Sequence, residues 1–436
     1  MNVTGIIAEY NPFHNGHAFH IEETRKLTHA DYCIAIMSGD FVQRGAPALV
    51  NKYTRAKMAL KNGIDLVIEL PTIAAVSSAE AFAQGGVCLL DALGVVSNIS
   101  FGAEASNVSD QKLLGFLADF FASEPPAFRE QLDLALKNGC SFPTARAQAA
   151  LHCLQQNTEI TSDGTLQDLE RLLASPNNIL AIEYQKAILK HDCKLTPCII
   201  SRNGAGYHDA DTDTQLPSAS ALRHFFLSKA ASDSELSENA VSETLNRTVP
   251  ASVADTLQAA WKNGQFLQEN DFSDLLYYEL RRQHLSPSEL TEVGDNALSD
   301  LTRRAANHLE DFTCWTDFIA DLKTKNQTYT AISRYLLHAL LGINDELLAA
   351  AKSCHYAPYA RILGFRRDAA PVLKELQTHS QIPLLRKIAK EQQMLTPAQQ
   401  KLLNLDIYAA DLYNRILYSR SGIRRRSDYR EPLVIV

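Results

Sequence analysis

The sequence predicts an α/β fold, a doubly wound parallel sheet followed by an α-helical C-terminal region. Over the first hundred residues, short apolar runs alternate with helical segments. Continuous apolar strands that alternate with helices are typical of a parallel sheet covered on both faces. From about residue 250 onward the pattern is helical, with no clear buried strand.

The elements of the predicted sheet follow in order along the N-terminal half. The strands are 3–10, 31–39, 64–71, 96–102 and 194–202, and the main helices are 16–28, 51–63, 78–94 and 175–191. Parallel sheets bind ligands beyond the carboxyl ends of their strands. We therefore expect Tyr10, Gly39, Pro71 and Gly102, which end the first four strands, to lie around one crevice.

The chain of 436 residues is long enough for two or three domains. We predict a sheet domain over 1–228, a linker over 229–249 and a helical domain over 250–436. The boundary rests on the polar, Ser/Glu-rich stretch 229–245, which reads as a linker or a weakly packed helix.

Composition excludes several classes of protein. No apolar run approaches the ~18–20 residues of a membrane helix, and the N-terminus lacks the features of a signal peptide. Eight cysteines without a CxxC pair indicate reduced thiols and no structural zinc site. We therefore expect a cytoplasmic protein. Because the net charge is −8, a nucleic-acid partner must be bound by a local basic patch.

The stretch "EYNPFHNGHAFH" (9–20) places three histidines where the first strand turns into a helix. A helix N-terminus attracts phosphate, and Gly16 lets a phosphate or a base approach the backbone. Imidazoles at His14 and His17 could stabilise an α-phosphate that becomes five-coordinate, which is the chemistry of adenylyl transfer. A chance match and a metal site are the alternatives, although no third or fourth ligand is obvious. His20 is more readily a packing or solvent-facing residue.

Resemblance to a known family extends this interpretation. "GIIAEYNPFHNGH", with His14-Asn15-Gly16-His17, resembles the first ATP-binding motif of the nucleotidyltransferase superfamily. Together with "IMSGDFVQRGAPALVNKYTRAKMAL", "DLVIELPT", "SAEAFAQGGV", "SFGAE", "SPNNILAIEYQKAI", "RNGAGYHD" and "LPSASALR", it is similar to the tRNA(Met) cytidine acetate ligase family. The resemblance covers most of 1–225 and continues more thinly through "EVGDNAL" and "YARILGF".

The resemblance implies a Rossmann-like nucleotidyltransferase domain and a two-step reaction. ATP activates acetate as acetyl-adenylate, and the acetyl group passes to N4 of the wobble cytidine of elongator tRNA(Met), forming N4-acetylcytidine. Mg²⁺ is expected with the ATP, held mainly by its phosphates and not by a protein metal site. No membrane and no protein partner are implied.

The resemblance also implies the residues of the ATP site, with His14 and His17 in the catalytic role. They are Ile7, Ala8, Glu9, Tyr10, Asn11, Pro12, Phe13, His14, Asn15, Gly16, His17, Ala18, Phe19, His20, Gly102, Asn177 and Arg202. Spacing does not decide between Asn177 and its neighbour Asn178. The structural alternatives are a strand-to-loop turn for Gly102, a helix-start residue for Asn177 and a buried salt bridge for Arg202.

Three further groups of residues are weaker candidates. Ser218, Ser220 and Arg223 fit a second phosphate-binding motif or a simple capped helix. Gln43 and Arg44 follow the second strand, where Arg44 could contact pyrophosphate, RNA or solvent. Asp40 is either an outer partner of Mg²⁺ or a loop-capping residue.

The basic run Arg424, Arg425 and Arg426 is the most suggestive tRNA-binding segment in a chain of net charge −8. Other arginine pairs in the C-terminal half, which are as readily solvated helix faces, are Arg281 and Arg282, Arg303 and Arg304, and Arg366 and Arg367. Two other functions stay open. A small-molecule nucleotidyltransferase would not need the helical, locally basic region 250–436, and a non-catalytic RNA-binding protein would be expected to have lost the histidine pair.

Overall fold

The structure, a computed structural model, describes residues 1–105, 107–155, 163–201, 218–230, 235–285 and 296–436. Its strands are β1 (Val3–Ala8), β2 (Tyr32–Ser38), β3 (Phe41–Val42), β4 (Ala46–Pro47), β5 (Leu66–Leu70), β6 (Asn98–Ala103), β7 (Thr196–Ser201), β8 (Ala360–Phe365), β9 (Leu384–Leu385) and β10 (Val434–Ile435).

The helices of the N-terminal half are α1 (Asn15–Thr28), α2 (Lys52–Lys61), α3 (Thr72–Ala75), α4 (Ala79–Ala92), α5 (Val108–Ser123), α6 (Pro126–Lys137), α7 (Phe142–Gln155), α8 (Asp163–Ala174), α9 (Pro176–Lys190) and α10 (Ala219–Ala230). Those that follow are α11 (Glu235–Thr248), α12 (Ala251–Lys262), α13 (Ser273–Leu285), α14 (Asn296–His308), α15 (Trp315–Leu322), α16 (Tyr329–Leu341), α17 (Asp345–Ser353), α18 (Ala370–His379), α19 (Ile388–Glu391) and α20 (Pro397–Ser421).

The central sheet has the strand order β10-β8-β5-β2-β1-β6-β7, with β9 beside β8. The five strands predicted from the sequence, β1, β2, β5, β6 and β7, are parallel to one another. This confirms the doubly wound α/β fold. The strand order reverses at β1, which lies between β2 and β6. A ligand crevice is therefore expected beyond the carboxyl ends of β1 and β6.

Apolar side chains cover both faces of the sheet, as the continuous apolar strands predicted. On β2, Ile34 and Ile36 belong to one buried cluster, whereas Ala35 and Met37 belong to the cluster on the opposite face. Such alternation follows from the period of two along a strand.

Two glycines let helix α4 lie close against the central strand. A Cβ added at Gly5 would lie 2.4 Å from a methyl carbon of Leu90, and one at Gly86 would lie 2.5 Å from a methyl carbon of Ile7. Larger residues at these positions would push α4 away from β1. The close packing fixes the strand that leads into the histidine motif.

The expectation that no buried strand follows residue 250 is wrong. β8 is buried, pairs antiparallel with β5, and has β10 parallel to it on its other side. Periodicity cannot separate so short an apolar run from part of a helix. Moreover, Arg361 interrupts the run. It is only 2% exposed and is tolerated because it forms an ion pair with Glu69, with Nη1 and Oε2 2.8 Å apart. The rest of this region is mostly helical, as predicted.

The polar stretch chosen as a boundary contains a helix, α11. Its residues Val241 and Leu245 are buried, in the same apolar cluster as Phe13 and Ile21 of the N-terminal half. The division of the chain at 229–249 stays a prediction. Within the described residues, no helix combines the length and the apolar character needed to cross a membrane, and the eight cysteines are all free thiols.

Candidate active site

The turn between β1 and α1 is anchored by aromatic side chains. Tyr10, two residues after β1, has a left-handed backbone conformation with a φ of 48°. Tyr10 and Phe13 are buried, with ring centroids 5.0 Å apart. The edge of the Tyr10 ring also packs on His17, again with centroids 5.0 Å apart. The first turn of α1 is thereby fixed at the carboxyl end of the central strand.

His14 and His17 form a stacked pair that caps this helix. The His14 Nδ1 accepts a hydrogen bond from the Gly16 N–H at 3.0 Å, and the His14 N–H donates to Nδ1 of His17 at 3.2 Å. The ring centroids are 3.8 Å apart at an interplanar angle of 29°. Because both Nδ1 atoms accept, the neutral rings carry their proton on Nε2. Each neutral ring therefore has Nε2–H as its donor, a group that can donate to a phosphate oxygen.

Gly16 leaves room for the His14 ring. A Cβ at residue 16 would lie 2.8 Å from Cε1 of His14. The predicted reason for this glycine was the approach of a base or phosphate to the backbone. The structure adds that any larger residue would displace the histidine that caps the helix.

His20 holds α1 to the sheet. Its Nε2 forms a 3.2 Å hydrogen bond with Oγ of Ser100 on β6, and Ser100 bonds Thr24 of α1 at 2.7 Å. These contacts fit the packing interpretation of His20. Two other residues of the predicted ATP loop, Asn15 and Phe19, do not share one environment. Asn15 donates to the Arg247 carbonyl at 3.0 Å, and Phe19 is 41% exposed.

The "LPSASALR" stretch lies directly beside the histidine loop. Ser218 accepts from the Ala221 N–H at 3.1 Å and so caps α10. Arg223 donates to the Asn11 carbonyl at 2.6 Å and to Oγ of Ser220 at 3.2 Å. The structure thus brings the second candidate motif to the first. The capped-helix interpretation is correct for Ser218, and phosphate binding at this motif stays a prediction.

The end of β6 and the start of α9 meet at Glu104. Asn178 is buried and its Oδ1 accepts from the Glu104 N–H at 2.8 Å. Asn177 is half-buried, and its Nδ2 donates to Oε1 of Glu104 at 2.8 Å. Asn178 is thus engaged with the backbone and Asn177 with a carboxylate, and the assignment of a ligand contact to Asn177 stays a prediction. The sequence reasoning missed Glu104, although its place just beyond a central strand was a signal.

The sequence places Gly102 and Arg202 at the ends of two predicted strands, 96–102 and 194–202. Gly102 lies inside β6, paired with Ile200 of β7, one residue before the strand ends at Ala103. Arg202 falls outside the described residues. Ser201, the residue before it, pairs with Ala103 at the carboxyl end of β6.

The segment after β2 closes another side of the crevice. The Gln43 N–H donates to Oε1 of Glu9 at 2.8 Å, so this loop contacts the residue that follows β1. Arg44 beside it is half-buried. Arg55, which the sequence reasoning missed, is fully buried. It donates to the carbonyls of Glu9 at 2.7 Å and Ser38 at 3.1 Å. One guanidinium therefore joins the carboxyl ends of β1 and β2.

Asp40 acts as a cap. Its Oδ1 accepts from the Lys52 N–H, the first of α2, at 2.7 Å. Burial raises the pKa of Asp40 to about 6, despite the charge of Lys52. This contact agrees with the loop-capping interpretation. In the part of the chain that the structure describes, no group of three or more His, Cys, Asp or Glu side chains is arranged to hold a metal ion.

A buried ion cluster ties the C-terminal segment to the sheet. Lys52 Nζ lies 2.8 Å from Glu69 and 2.7 Å from Asp428, and Arg361 lies 2.8 Å from each of the same two carboxylates. All four side chains are at most 4% exposed. Burial acts to raise the pKa of Asp428, but Lys52 and Arg361 outweigh it and lower that pKa to about 2. Asp428 therefore stays ionised.

This anchor fixes the neighbouring basic run. Arg424 and Arg426 are exposed, and the Arg424 guanidinium lies 5.0 Å from the centroid of the Tyr418 ring. Arg425 is half-buried and donates to Oγ1 of Thr54 on α2 at 3.4 Å. The three arginines are therefore not equivalent, since only Arg424 and Arg426 are placed on the surface.

The other arginine pairs are largely engaged with neighbouring side chains. Arg282 pairs with Glu279 at 2.7 Å, Arg303 with Asp300 at 2.7 Å, and Arg366 with Asp368 at 2.7 Å. Arg281 lies 5.4 Å from the centroid of the Tyr277 ring. These contacts fit the interpretation of solvated helix faces for most of them.

Comparison with known proteins agrees with this geometry. The model of the HIGH nucleotidyl transferase family matches residues 1–428. The tRNA(Met) cytidine acetate ligase of Clostridium perfringens strain SM101 is 37% identical over 431 residues, covering 98% of each chain. The enzyme of that name from Thermoanaerobacter sp. strain X514 is 35% identical over 437 residues and covers 100% of both.

Two solved structures have the same overall fold over the whole length. Thermotoga maritima TmcAL in its apo form is 28% identical, with a TM-score of 0.87 and 100% of both chains covered. The same protein bound with alpha-thio ATP gives a TM-score of 0.85 at the same identity and coverage. From the full-length match and the relatives above 30% identity, we conclude that this chain belongs to the tRNA(Met) cytidine acetate ligase family of HIGH nucleotidyltransferases.

Proposed function

We propose that the protein is an ATP-dependent ligase that activates acetate and acetylates N4 of the wobble cytidine of elongator tRNA(Met), forming N4-acetylcytidine. The observation that carries the proposal is the stacked pair His14 and His17 at the N-terminus of α1, beyond the carboxyl end of the central strand. The family of the chain and the ATP-analogue complex of Thermotoga maritima TmcAL support it.

In the first step, a carboxylate oxygen of acetate attacks the α-phosphorus of ATP, and the bond to pyrophosphate breaks. Negative charge develops on the α-phosphate oxygens in the transition state. Nε2–H donors of His14 and His17, together with the positive end of the α1 dipole, are suited to stabilise that charge. The product, acetyl-adenylate, carries AMP as a good leaving group.

Mg²⁺ would enter this site with the triphosphate. Asp40, the nearby carboxylate considered for it, is bound to Lys52. Among the described residues, no three or more His, Cys, Asp or Glu side chains are grouped to hold a metal ion, and we propose that phosphates and water supply most of the ligands of Mg²⁺. When bound, the ion would neutralise charge on the departing pyrophosphate.

In the second step, the N4 amine of cytidine attacks the acetyl carbonyl carbon, AMP leaves and N4 loses a proton. The base must leave its stack to reach the crevice. We propose that residues 1–228 carry the adenylation chemistry, that 229–249 form the boundary and that 250–436 bind the tRNA. The exposed residues Arg424 and Arg426 are candidate phosphate contacts, and we place Ile7 to His20, Gly102, Asn177 and Arg202 in the ATP site.

Acetate-dependent exchange of labelled pyrophosphate into ATP, measured without tRNA, tests the first step. We expect exchange with acetate and almost none without it. Exchange that needs a different small carboxylate or phosphate ester and ignores acetate would favour the small-molecule nucleotidyltransferase. A protein that binds tRNA yet shows no exchange with any acid would favour the non-catalytic alternative.

Gly102→Val should abolish ATP binding while leaving tRNA binding nearly unchanged. The branched side chain would enter space that we assign to the nucleotide at the end of β6. Calorimetric titration with ATP measures the effect. Gly115→Val is the matched control, because a Cβ there meets nothing nearer than 3.5 Å. An unchanged ATP affinity in folded Gly102→Val would show that residue 102 does not line the pocket.

The double substitution of Arg424 and Arg426 by alanine should weaken tRNA binding and leave adenylation intact. If both touch phosphates, the slope of log K against log salt should flatten by roughly 0.7–0.9 for each lost contact. Acetyl transfer should recover at high tRNA concentration. Arg425→Ala is the internal control, because its contact with Thr54 predicts a lower melting temperature and a smaller change in salt slope. Equal salt slopes in the wild type and the double variant would show that Arg424 and Arg426 do not contact tRNA phosphates.

A further inference from the structure

Helix α16, in the C-terminal half, packs directly on the hairpin formed by β3 and β4. Gly45 has a φ of 81°, and a Cβ at this position would lie 2.4 Å from the backbone nitrogen of Arg334. Oγ of Ser333 donates to the Gly45 carbonyl at 2.8 Å. Because the backbone of Gly45 packs directly against the backbone of Arg334, the position of Arg334 beside the hairpin is fixed.

The side chain of Arg334 contacts the β3–β4 hairpin at Gln43. Its Nη1 lies 3.4 Å from the carbonyl oxygen of Gln43, a long hydrogen bond. The N–H of the same Gln43 donates to the carboxylate of Glu9, at the end of β1. Gln43 therefore contacts both the Arg334 guanidinium and Glu9, which follows the strand that leads into the histidine pair.

This guanidinium has no ion-pair partner within 4.0 Å in the described ranges, although it is half-buried. A guanidinium carries five N–H donors, and the Gln43 carbonyl engages one of them. Burial lowers the pKa of Arg334 to about 10, so the group still carries its charge at neutral pH. A desolvated cation without a counter-ion is unfavourable for folding. An anionic ligand would supply the missing counter-ion.

We propose that Arg334 binds a phosphate group of the bound substrate at the mouth of the crevice. The planar fork of an arginine fits phosphate in a bidentate manner. The phosphate belongs to the triphosphate of ATP or to the backbone of the tRNA, and its location rests on the proposed function. In either case a residue of the C-terminal half completes the site built on β1 and α1.

Arg334→Met and Arg334→Lys, compared with Arg129→Met, test this assignment. Methionine retains the apolar stem without the charge, and lysine retains the charge without the fork. Arg129, on α6, is a matched control because its guanidinium is exposed. Melting temperatures are measured beside titrations with ATP, inorganic pyrophosphate and tRNA. The expected loss for Arg334→Met is about tenfold or more in affinity, with a smaller loss for Arg334→Lys and none for Arg129→Met.

Weaker binding of ATP and pyrophosphate identifies the triphosphate as the source of the phosphate. Weaker tRNA binding with a flatter salt slope identifies the nucleic-acid backbone. The melting temperature should not fall in Arg334→Met, since the substitution removes an uncompensated charge. Unchanged affinity for all three ligands, or losses that follow a lowered melting temperature, would overturn the proposal. Pyrophosphate binding does not depend on which acid is activated, so a failure of the acetate assignment would be recognised separately.

Discussion

Replacing His14 or His17 by alanine is expected to slow acetyl-adenylate formation by about 10²–10³-fold, the scale for losing a donor that acts in the transition state. Both rings belong to the stacked pair at the start of α1. The rate of acetate-dependent pyrophosphate exchange measures the loss. Near-normal exchange in both variants would defeat the catalytic assignment.

His14 and His17 also cap helix α1, so variants that keep the cap but lose the imidazole are needed as controls. Alanine also removes the capping bonds made by the two Nδ1 atoms, which costs about 1 kcal/mol. His14→Asn and His17→Gln supply polar side chains that suit these two capping positions, yet they lack the imidazole donor. We expect them to keep the melting temperature of the wild type and to be as slow as the alanine variants. If His14→Asn and His17→Gln had the activity of the wild type, the two histidines would have only a structural role.

Asp428→Ala should lower the free energy of unfolding by about 3–5 kcal/mol, because it leaves buried cations without their carboxylate. Lys52 and Arg361 both contact Asp428, and all three side chains are almost fully buried. Denaturant unfolding measures the change. Asp368→Ala is the control, since its carboxylate is 64% exposed beside Arg366 and should matter little. Equal stability in the two variants would show that the buried cluster does not hold the C-terminal segment.

The same anchor has a defined pH dependence. The pKa of Asp428 is lowered in the folded state, to about 2, from about 3.9 in an unfolded chain. Its contribution to stability is therefore fully present above about pH 4 and is lost as the pH falls through 2. The difference in stability between wild type and Asp428→Ala should shrink over that range.

Much of the N-terminal fold could be predicted because its strands are continuous apolar runs separated by helices. The histidine pair was also predictable, since a strand, a turn, a glycine and a helix follow one another in the sequence. β8 was missed because Arg361 interrupts a run of only six residues, and its partner Glu69 lies far away in the chain. Sequence periodicity carries no information on such a pairing.

The missed residues of the site share one physical cause. In the sequence, Arg55 and Arg334 are ordinary polar positions of helices. Their contacts are with carbonyl groups that only the folded chain brings near them. Arg334 and Gln43 are separated by 291 residues in sequence. Glu104 is closer to the predicted motif, but its role is apparent only with Asn177 and Asn178 around it. The basic run was recognised, whereas the difference between Arg425 and its neighbours required the structure.

We propose that this one protein joins acetate to tRNA with consumption of ATP. Incubation of the purified protein with ATP, labelled acetate and unmodified elongator tRNA(Met), followed by digestion to nucleosides, tests it most directly. We predict label in N4-acetylcytidine at the wobble position, dependent on ATP and absent in His14→Asn. A tRNA that stays unlabelled, while the protein is folded and binds both ATP and tRNA, would contradict the account.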